Sequence, residues 1–301
     1  MASTPAVSVV IATYNRAHLI AATLDSVLGQ SFKDFEVILV DDGSTDNTRD
    51  VMSEYGPRVH YLCQNNRGPS AARNLGVQRA KASWISILDS DDLCAPGHLS
   101  TLYTYAEAHP GCGMVFANGA YLGGREHNRE TIIPASKSRR LAARGVRLDD
   151  LFDKSIVRFQ AALISKAAYD AVGGHDESLR ICMDLDLSFK LFMNCPIAYI
   201  DEVVFLYRRH EGNIGRNEEL RLTENIRVIE TLVRDYGAAK NAISAKKVAQ
   251  RLAYRYYRLA KGRWKRHRAR DARAALHEAI GLCPGNLKYR LYQIAWGLAR
   301  H

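Results

Sequence analysis

Acidic side chains that could hold a cation follow two predicted strands. Asp41 and Asp42 come directly after one β-branched run, and Asp89, Asp91 and Asp92 follow another. Ligands of parallel sheets bind beyond the carboxyl ends of the strands, so these carboxylates are expected to converge on one rim. Like charges a few ångströms apart are costly unless a cation neutralises them, and hard divalent ions prefer carboxylate oxygens. The second cluster therefore predicts a site for Mn²⁺ or Mg²⁺, whereas the first equally suits a turn that caps a helix.

Strand and helix patterns alternate in the part of the chain that positions these carboxylates. The predicted strands are 7–11, 35–40, 59–63, 84–88 and 113–117, with helices at 19–28, 48–55, 70–80 and 99–108 between them. Such alternation predicts an α/β fold with a parallel sheet covered by helices on both faces. Residues 123–147 are polar and basic without clear periodicity, which indicates a loop or irregular insertion. Apolar runs at 156–165 and 197–206 flank a helical stretch at 184–193, and beyond Gly215 the pattern is helical.

A basic helix lies between these two groups of carboxylates. Gly68 and Pro69 open it, and Arg73 falls in its first turns, where its guanidinium can fork onto a phosphate or a base. The segment matches neither the dinucleotide fingerprint nor the P-loop. A diphosphate bridged to the aspartate cluster by a metal ion is the physical alternative, which points to transfer chemistry.

Charge is unevenly distributed along the 301 residues. The chain has 42 basic and 32 acidic residues, and residues 240–301 hold 16 of the basic and two of the acidic ones. This asymmetry favours contact with an anionic surface, either a membrane or, less favoured, nucleic acid. Tyr254, Tyr256, Tyr257 and Trp264 lie among these cations, as expected for a membrane interface. A solvated helix face, packing of the stripe Leu287, Leu291, Ile294 and Leu298, or a contact between two copies of the chain are the alternatives.

Composition excludes several classes of protein. Apolar residues make up 47% and charged residues 25% of the chain, which is typical of a folded domain and excludes wholesale disorder. No apolar stretch approaches the roughly 18 residues that span a bilayer, and the N-terminus lacks a secretory signal pattern. The six cysteines form no CxxC or zinc-ligand spacing. We therefore expect reduced thiols and a cytoplasmic location. The basic tail also allows a peripheral position at the inner face of the membrane.

Five blocks of sequence occur in an order that is typical of one enzyme family. They are VSVVIATYNR (7–16), VDDGST (40–45), GPSAARNLG (68–76), ILDSDD (87–92) and GGHDE (173–177). Together they resemble the inverting family 2 glycosyltransferases with the GT-A fold, over about residues 5–215. The resemblance implies a Rossmann-like, mostly parallel sheet flanked by helices. It also implies a nucleotide-sugar-binding half (1–120) and an acceptor-binding half (121–215), followed here by a basic helical region (216–301).

The resemblance also implies roles for single residues. Tyr14 would stack on the nucleobase, and Asp42, with Asp41 beside it, would bind uracil or ribose. Asp91 would ligate the metal. The remaining implied contacts to the nucleotide are Ala12 (through its backbone), Arg16, Arg73, Asp89 and Ser90, and the remaining implied metal ligands are Asp89 and His210, with Asp92 as a neighbouring ligand or partner.

The base implied by the family falls on Asp184, with Asp186 as the alternative. Met183 stands where the family usually has Glu, and His175 stands where it usually has Phe. Asp184 would take the proton of an acceptor hydroxyl while that oxygen attacks the anomeric carbon in line, so that the configuration inverts. An apolar neighbour such as Met183 would raise the pKa of Asp184 by desolvation.

The function predicted from these features is a metal-dependent inverting glycosyltransferase. It would use a nucleotide diphosphate sugar, with UDP-sugar as the first choice, and a glycan or lipid-linked acceptor. The alternative is a non-catalytic protein that binds nucleotide sugar or an anionic surface, which the loss of Glu at position 183 favours. A nucleotidyltransferase is disfavoured because the chain has no Gly-rich, Lys-bearing loop for a triphosphate.

Overall fold

The computed structural model describes residues 4–122, 130–153, 156–209, 217–237 and 242–298, and the chain divides into two compact units, residues 1–212 and 213–301. The first unit is built on a β-sheet. Its strands are β1 (Val7–Thr13), β2 (Phe35–Asp41), β3 (His60–Cys63), β4 (Trp84–Asp89), β5 (Leu93–Cys94), β6 (Met114–Tyr121), β7 (Ala162–Ser165) and β8 (Ile197–Tyr207). The described strands are arranged in the order β3-β2-β1-β4-β7-β6-β8-β5.

The parallel strands form because their residues are apolar on both faces. β1 pairs in parallel with β2 and β4, and nearly every residue of these three strands beyond the first two of β2 is buried. The predicted α/β fold is confirmed. One difference concerns β6, which is separated from the parallel strands by β7, an antiparallel neighbour of both β4 and β6. The carboxyl ends of β1, β2 and β4 nevertheless lie side by side, as the site requires.

Helices cover the sheet. They are α1 (Ala17–Leu28), α2 (Thr48–Ser53), α3 (Pro69–Arg79), α4 (His98–Ala108), α5 (Ala135–Arg144), α6 (Leu148–Asp153), α7 (Lys166–Ala171) and α8 (Met183–Asn194). The prediction of an irregular segment at 123–147 is wrong for α5. That helix buries only Ser138 and Leu141, and Leu141 is its one large apolar residue, so its polar and basic composition resembles that of a loop.

The second unit is helical, as predicted. Its described helices include α9 (Glu218–Asp235), α10 (Ala245–Lys265), α11 (Ala269–Leu282) and α12 (Leu287–Leu298). The aromatic side of α12 packs inward: Tyr289 stacks on Tyr257 at 4.9 Å, and Trp296 stacks on Trp264 at 4.4 Å between ring centroids. Two of the aromatic residues that suggested a membrane interface, Tyr257 and Trp264, therefore serve the packing of this unit.

Three residues of the predicted aliphatic stripe of α12 face outward, and the side chain of the fourth, Leu298, lies outside the described part of the chain. Leu287, Leu291 and Ile294 are 77%, 66% and 60% exposed, so the described part of the chain does not pack against them. Among the described helices, none combines the length and the apolar composition needed to cross a lipid bilayer.

Candidate active site

The loops that follow β1 and β2 are tied to each other by Asn15. Its Oδ1 accepts hydrogen bonds from the backbone N–H groups of Thr45, at 2.8 Å, and Asp46, and its own N–H donates to Ser44 Oγ at 2.9 Å. Asn15 adopts φ +52°, a left-handed conformation that asparagine tolerates. Tyr14, just before this turn, is 44% exposed at the rim of the sheet.

Ala12 lies between the two groups of carboxylates. In the sheet register it is paired with Val40 of β2 on one side and with Asp89 of β4 on the other. The backbone of β1 thus lies between the aspartates that follow β2 and those that follow β4, which is where the sequence predicts the nucleotide.

The predicted nucleotide ligands Asp41 and Asp42 are buried and hydrogen-bonded within the chain. Asp41 accepts from the Ser44 N–H and from the Tyr61 hydroxyl, each within 2.8 Å. Asp42 accepts from the Gln64 side chain and from the backbone N–H groups of Arg67 and Gly68. Both carboxylates therefore order the loops around the site, and a direct contact to a base or ribose stays a prediction.

Asp89, Asp91 and Asp92 form a carboxylate cluster at the end of β4. One oxygen of each lies within 4.8 Å of the others. Thr23 of α1 fixes this loop by donating its hydroxyl hydrogen to the carbonyls of Ser90 and Asp92, at 3.0 and 2.8 Å. The predicted convergence of the three carboxylates is confirmed by their positions, and Ser90 itself is buried.

The chemistry of this cluster suits a divalent cation. Burial, together with the charge of Asp89, raises the pKa of Asp92 well above its usual range, so its anionic form requires a neighbouring positive charge. Asp92 Oδ1 accepts the Arg208 N–H at 2.9 Å, and its buried Oδ2 has no hydrogen-bond partner among the described residues. Arg16 Nε lies 3.8 Å from Asp91. A hard cation bound here would meet three oxygen donors, which fits Mn²⁺ or Mg²⁺.

Arg73 joins the cluster to a carboxylate on another element. Its side chain is 6% exposed; one guanidinium nitrogen contacts Asp89, and Nη1 lies 3.3 Å from Asp184 Oδ1. Gln160 holds the other oxygen of Asp89. Arg73 is therefore a buried positive charge that two carboxylates share. In this structure its guanidinium contacts Asp89 and Asp184.

Asp184 lies in the first turn of α8, where the helix dipole favours an anion. Its side chain keeps 20% exposure. Burial raises the pKa of Asp184, and the Arg73 charge offsets only part of that rise. The alternative base, Asp186, forms an ion pair with Lys190 at 2.7 Å instead. Met183 is buried, and its sulfur accepts from Ser70 Oγ at 3.3 Å.

Sequence reasoning gave no role to several residues around this centre. Gln160 is a buried polar residue within the apolar run 156–165. A polar residue in such a run is the sequence feature that could have indicated a role at the site. Asn74 and Tyr169 form a hydrogen-bonded group with His175 behind Asp184. The predicted metal ligand His210 lies outside the described residues.

Comparison with known proteins places this site in a family. The sequence profile described as glycosyl transferase family 2 matches residues 8–172, more than half of the chain. The chain belongs to glycosyl transferase family 2. The matched segment includes β1 to β4, the carboxylate cluster and Arg73, while Asp184 follows it.

Relatives and solved structures agree with this assignment. An uncharacterized glycosyltransferase of Rickettsia prowazekii (strain Madrid E) is 29% identical over 210 residues, which cover 68% of this family 2 chain and 64% of the relative. The chain thus spans less than two thirds of that protein's length. The fold resembles TarS 1-349 of S. aureus in complex with UDP-GlcNAc, with TM-score 0.70, 20% identity, and 96% and 88% of the two chains covered. It also resembles the mannosyltransferase PcManGT of Pyrobaculum calidifontis in complex with GDP-Man and Mn²⁺, with TM-score 0.63, 19% identity, and 98% and 85% covered.

Proposed function

We propose that this chain transfers a sugar from a nucleotide diphosphate sugar to an acceptor hydroxyl, with inversion at the anomeric carbon. The observation that supports this most strongly is the buried Arg73 between Asp89 and Asp184. Arg73 keeps Asp89, proposed to act on the sugar donor, close to Asp184, proposed to act on the acceptor. In-line transfer requires the groups that act on donor and acceptor to lie close together. UDP-sugar is the first choice of donor, in keeping with the UDP-GlcNAc bound to TarS.

Asp91, Asp89 and Asp92 would hold Mn²⁺ or Mg²⁺ on the diphosphate. The support is the oxygen donor set, the unpartnered Oδ2 of Asp92 among the described residues, and the Mn²⁺ bound to PcManGT. A bound divalent cation would stabilise the negative charge that develops on the departing diphosphate. His210 is proposed as a further ligand on the resemblance alone.

Asp184 is the proposed base. It accepts the acceptor proton as the new C–O bond forms, and the electron pair of the broken bond leaves with the nucleoside diphosphate. Partial exposure gives an acceptor access to its carboxylate, and the raised pKa strengthens it as a base. Asp186 is less suited because Lys190 already occupies one of its oxygens.

Two experiments test the proposal. Calorimetric titration with UDP, GDP and dTDP, with and without Mn²⁺, is expected to give UDP binding that needs Mn²⁺ and is lost in Asp91→Ala. Release of UDP from UDP-sugars is expected to fall by at least 10²-fold in Asp184→Asn and to change little in the matched variant Asp186→Asn. Near-normal turnover of Asp184→Asn would contradict its role as base.

The alternative function is a non-catalytic protein that binds nucleotide sugar. Met183 in place of Glu favours it, since a buried thioether cannot orient an acceptor as a carboxylate would. Tight binding of UDP without release of UDP from any UDP-sugar would support this alternative. Release of pyrophosphate would instead indicate nucleotidyl transfer.

A cytoplasmic position at an anionic membrane surface, near a lipid-linked acceptor, is proposed for the second unit. Residues 213–301 contain 20 basic and seven acidic residues, although Arg263, Arg266 and Arg268 already contact Glu219. The exposed stripe of Leu287, Leu291 and Ile294, with Lys288 and Arg290 on the same helix, supports insertion of α12 at a lipid interface.

Vesicle cosedimentation tests this position. Binding to vesicles with phosphatidylglycerol is expected to exceed binding to phosphatidylcholine vesicles and to be lost in Leu291→Glu. The control Val233→Glu introduces the same charge at an apolar position of α9 that is 42% exposed, and it should bind normally. Equal loss in both variants would contradict the role of α12. If the molecular mass in solution rises with protein concentration, and only Leu291→Glu abolishes this rise, a second copy of the chain covers the exposed stripe of α12.

A further inference from the structure

His175 lies directly behind the proposed base, in a position closed to solvent. Its side chain is 0% exposed, and its Nε2 lies 4.0 Å from Asp184 Oδ1. Among the described residues this nitrogen has no hydrogen-bond partner. An unpartnered buried polar atom is costly, so its place beside Asp184 requires a physical reason.

The hydrogen bonds of Asn74 fix the proton on the imidazole. Asn74 Nδ2 donates to the His175 carbonyl at 3.0 Å and to Glu177 Oε1 at 3.1 Å, so its Oδ1 is the acceptor. The Tyr169 hydroxyl lies 2.6 Å from that Oδ1 and must use its single hydrogen there. His175 Nδ1, 2.7 Å from the Tyr169 oxygen, therefore carries the imidazole hydrogen and donates it.

His175 Nε2 consequently presents a lone pair to Asp184. Burial, with the charges of Arg73 and Lys190, lowers the pKa of His175 well below its usual value, so the ring is neutral. When Asp184 is a carboxylate, two acceptors face each other with no hydrogen between them, which agrees with a separation too long for a hydrogen bond. When Asp184 carries a proton, its O–H becomes a donor to this lone pair.

We propose that His175 is a positioning residue for the base: its Nε2 accepts a hydrogen bond from Asp184 once Asp184 has taken the proton of the acceptor hydroxyl. The inference rests on the proposed function. In the step, the acceptor O–H bond breaks and its oxygen bonds to the anomeric carbon, while the bond to the diphosphate breaks and its electron pair leaves with the diphosphate. The proton stays on Asp184, held against His175.

The first test needs neither donor nor metal. The carboxyl stretch of protonated Asp184, identified by its loss in Asp184→Asn, is titrated by infrared difference spectroscopy. In His175→Phe the ring still excludes water but offers no acceptor, so Asp184 should bind its proton about fivefold more weakly. His175→Gln, whose amide oxygen can take the place of Nε2, should recover most of the loss. Arg73, Asp89 and Arg158 also act on this titration, and they are unchanged in every variant.

Two further readouts separate the outcomes. Nitrogen NMR of labelled histidine should find the hydrogen of His175 on Nδ1 in the wild type and a mixture of tautomers in Tyr169→Phe. With UDP-GlcNAc and Mn²⁺ as probe, His175→Phe should lower kcat about fivefold at unchanged KM and shift the acid limb of its pH profile. An unchanged infrared titration in His175→Phe, or a hydrogen on Nε2, would overturn the proposal. Absence of UDP release in the wild type, from UDP-GlcNAc and from every other UDP-sugar, would contradict the proposed transfer and leave the spectroscopic test of His175 decisive for the hydrogen bond.

Discussion

Replacing Arg73 by methionine tests the central claim about the site, that one buried charge compensates two carboxylates. The substitution keeps an unbranched side chain of similar length and removes the guanidinium between Asp89 and Asp184. A matched control exists in the same unit. Arg67 pairs with Glu177 at 2.7 Å, which is shorter than the 3.3 Å between Arg73 and Asp184. The control pair differs in burial, because the side chains of Arg67 and Glu177 are 63% and 42% exposed.

The expected magnitudes follow from burial. At 3.3 Å the Coulomb energy of one pair is about 5 kcal/mol for an effective dielectric constant of about 20. Removing one partner of a buried pair costs about 3–5 kcal/mol. Because the side chains of Asp184 and Asp89 keep 20% and 31% exposure, the lower end is expected, about 3 kcal/mol. Arg67→Met should cost less than about 1 kcal/mol, since solvent screens exposed pairs.

The assay is hydrogen–deuterium exchange of the peptide that contains β4, measured at increasing urea. It reports the free energy of unfolding of the unit that holds Arg73. The deficit of Arg73→Met should shrink as pH falls, because burial raises the pKa of Asp184 and protonation removes its uncompensated charge. A cost for Arg67→Met equal to that for Arg73→Met, or a deficit independent of pH, would refute the reasoning.

The remaining predictions concern the elements around the site. Gly68→Ala should lose about 1–3 kcal/mol of stability, chiefly because φ is +96° and ψ is 165°, a region that only glycine adopts readily. Gly145→Ala, with φ +78°, ψ 171° and no atom near its Cβ, isolates the cost of the backbone in the same urea titration. Thr23→Val should reduce the free energy of unfolding by about 1 kcal/mol, because it removes the hydrogen bond to the Ser90 carbonyl. The same change should weaken Mn²⁺ binding in calorimetry, and an unchanged metal affinity would contradict this. Burial lowers the pKa of His98 to about 4, so the unfolded chain binds its proton first, and this histidine should contribute a loss of about 3 kcal/mol of stability between pH 6.5 and 4. His98→Gln should reduce the fall in stability over this range by about that amount, whereas the contribution of His175, whose pKa burial also lowers, should remain.

Much of the fold followed from local patterns. Apolar β-branched runs alternate with amphipathic segments through the first 117 residues, and the structure contains strands and helices at those places. The failures have physical causes. Helix α5 is polar and basic with a single large apolar residue, so its composition resembles that of a loop. The place of β7 between β4 and β6 is set by pairing between distant segments. The outward direction of the α12 stripe arose because its aromatic residues pack on α10 instead.

The sequence by itself determined the carboxylate cluster and the family resemblance, because motif order and strand ends are local properties of the chain. Only the tertiary structure decided what those side chains contact. Arg73, predicted to bind the nucleotide, is buried between Asp89 and Asp184, and Asp42 holds the backbone of the Arg67 loop. These contacts join residues 16 to 111 positions apart, so they depend on how the sheet brings strand ends and helix starts together, which no local pattern encodes.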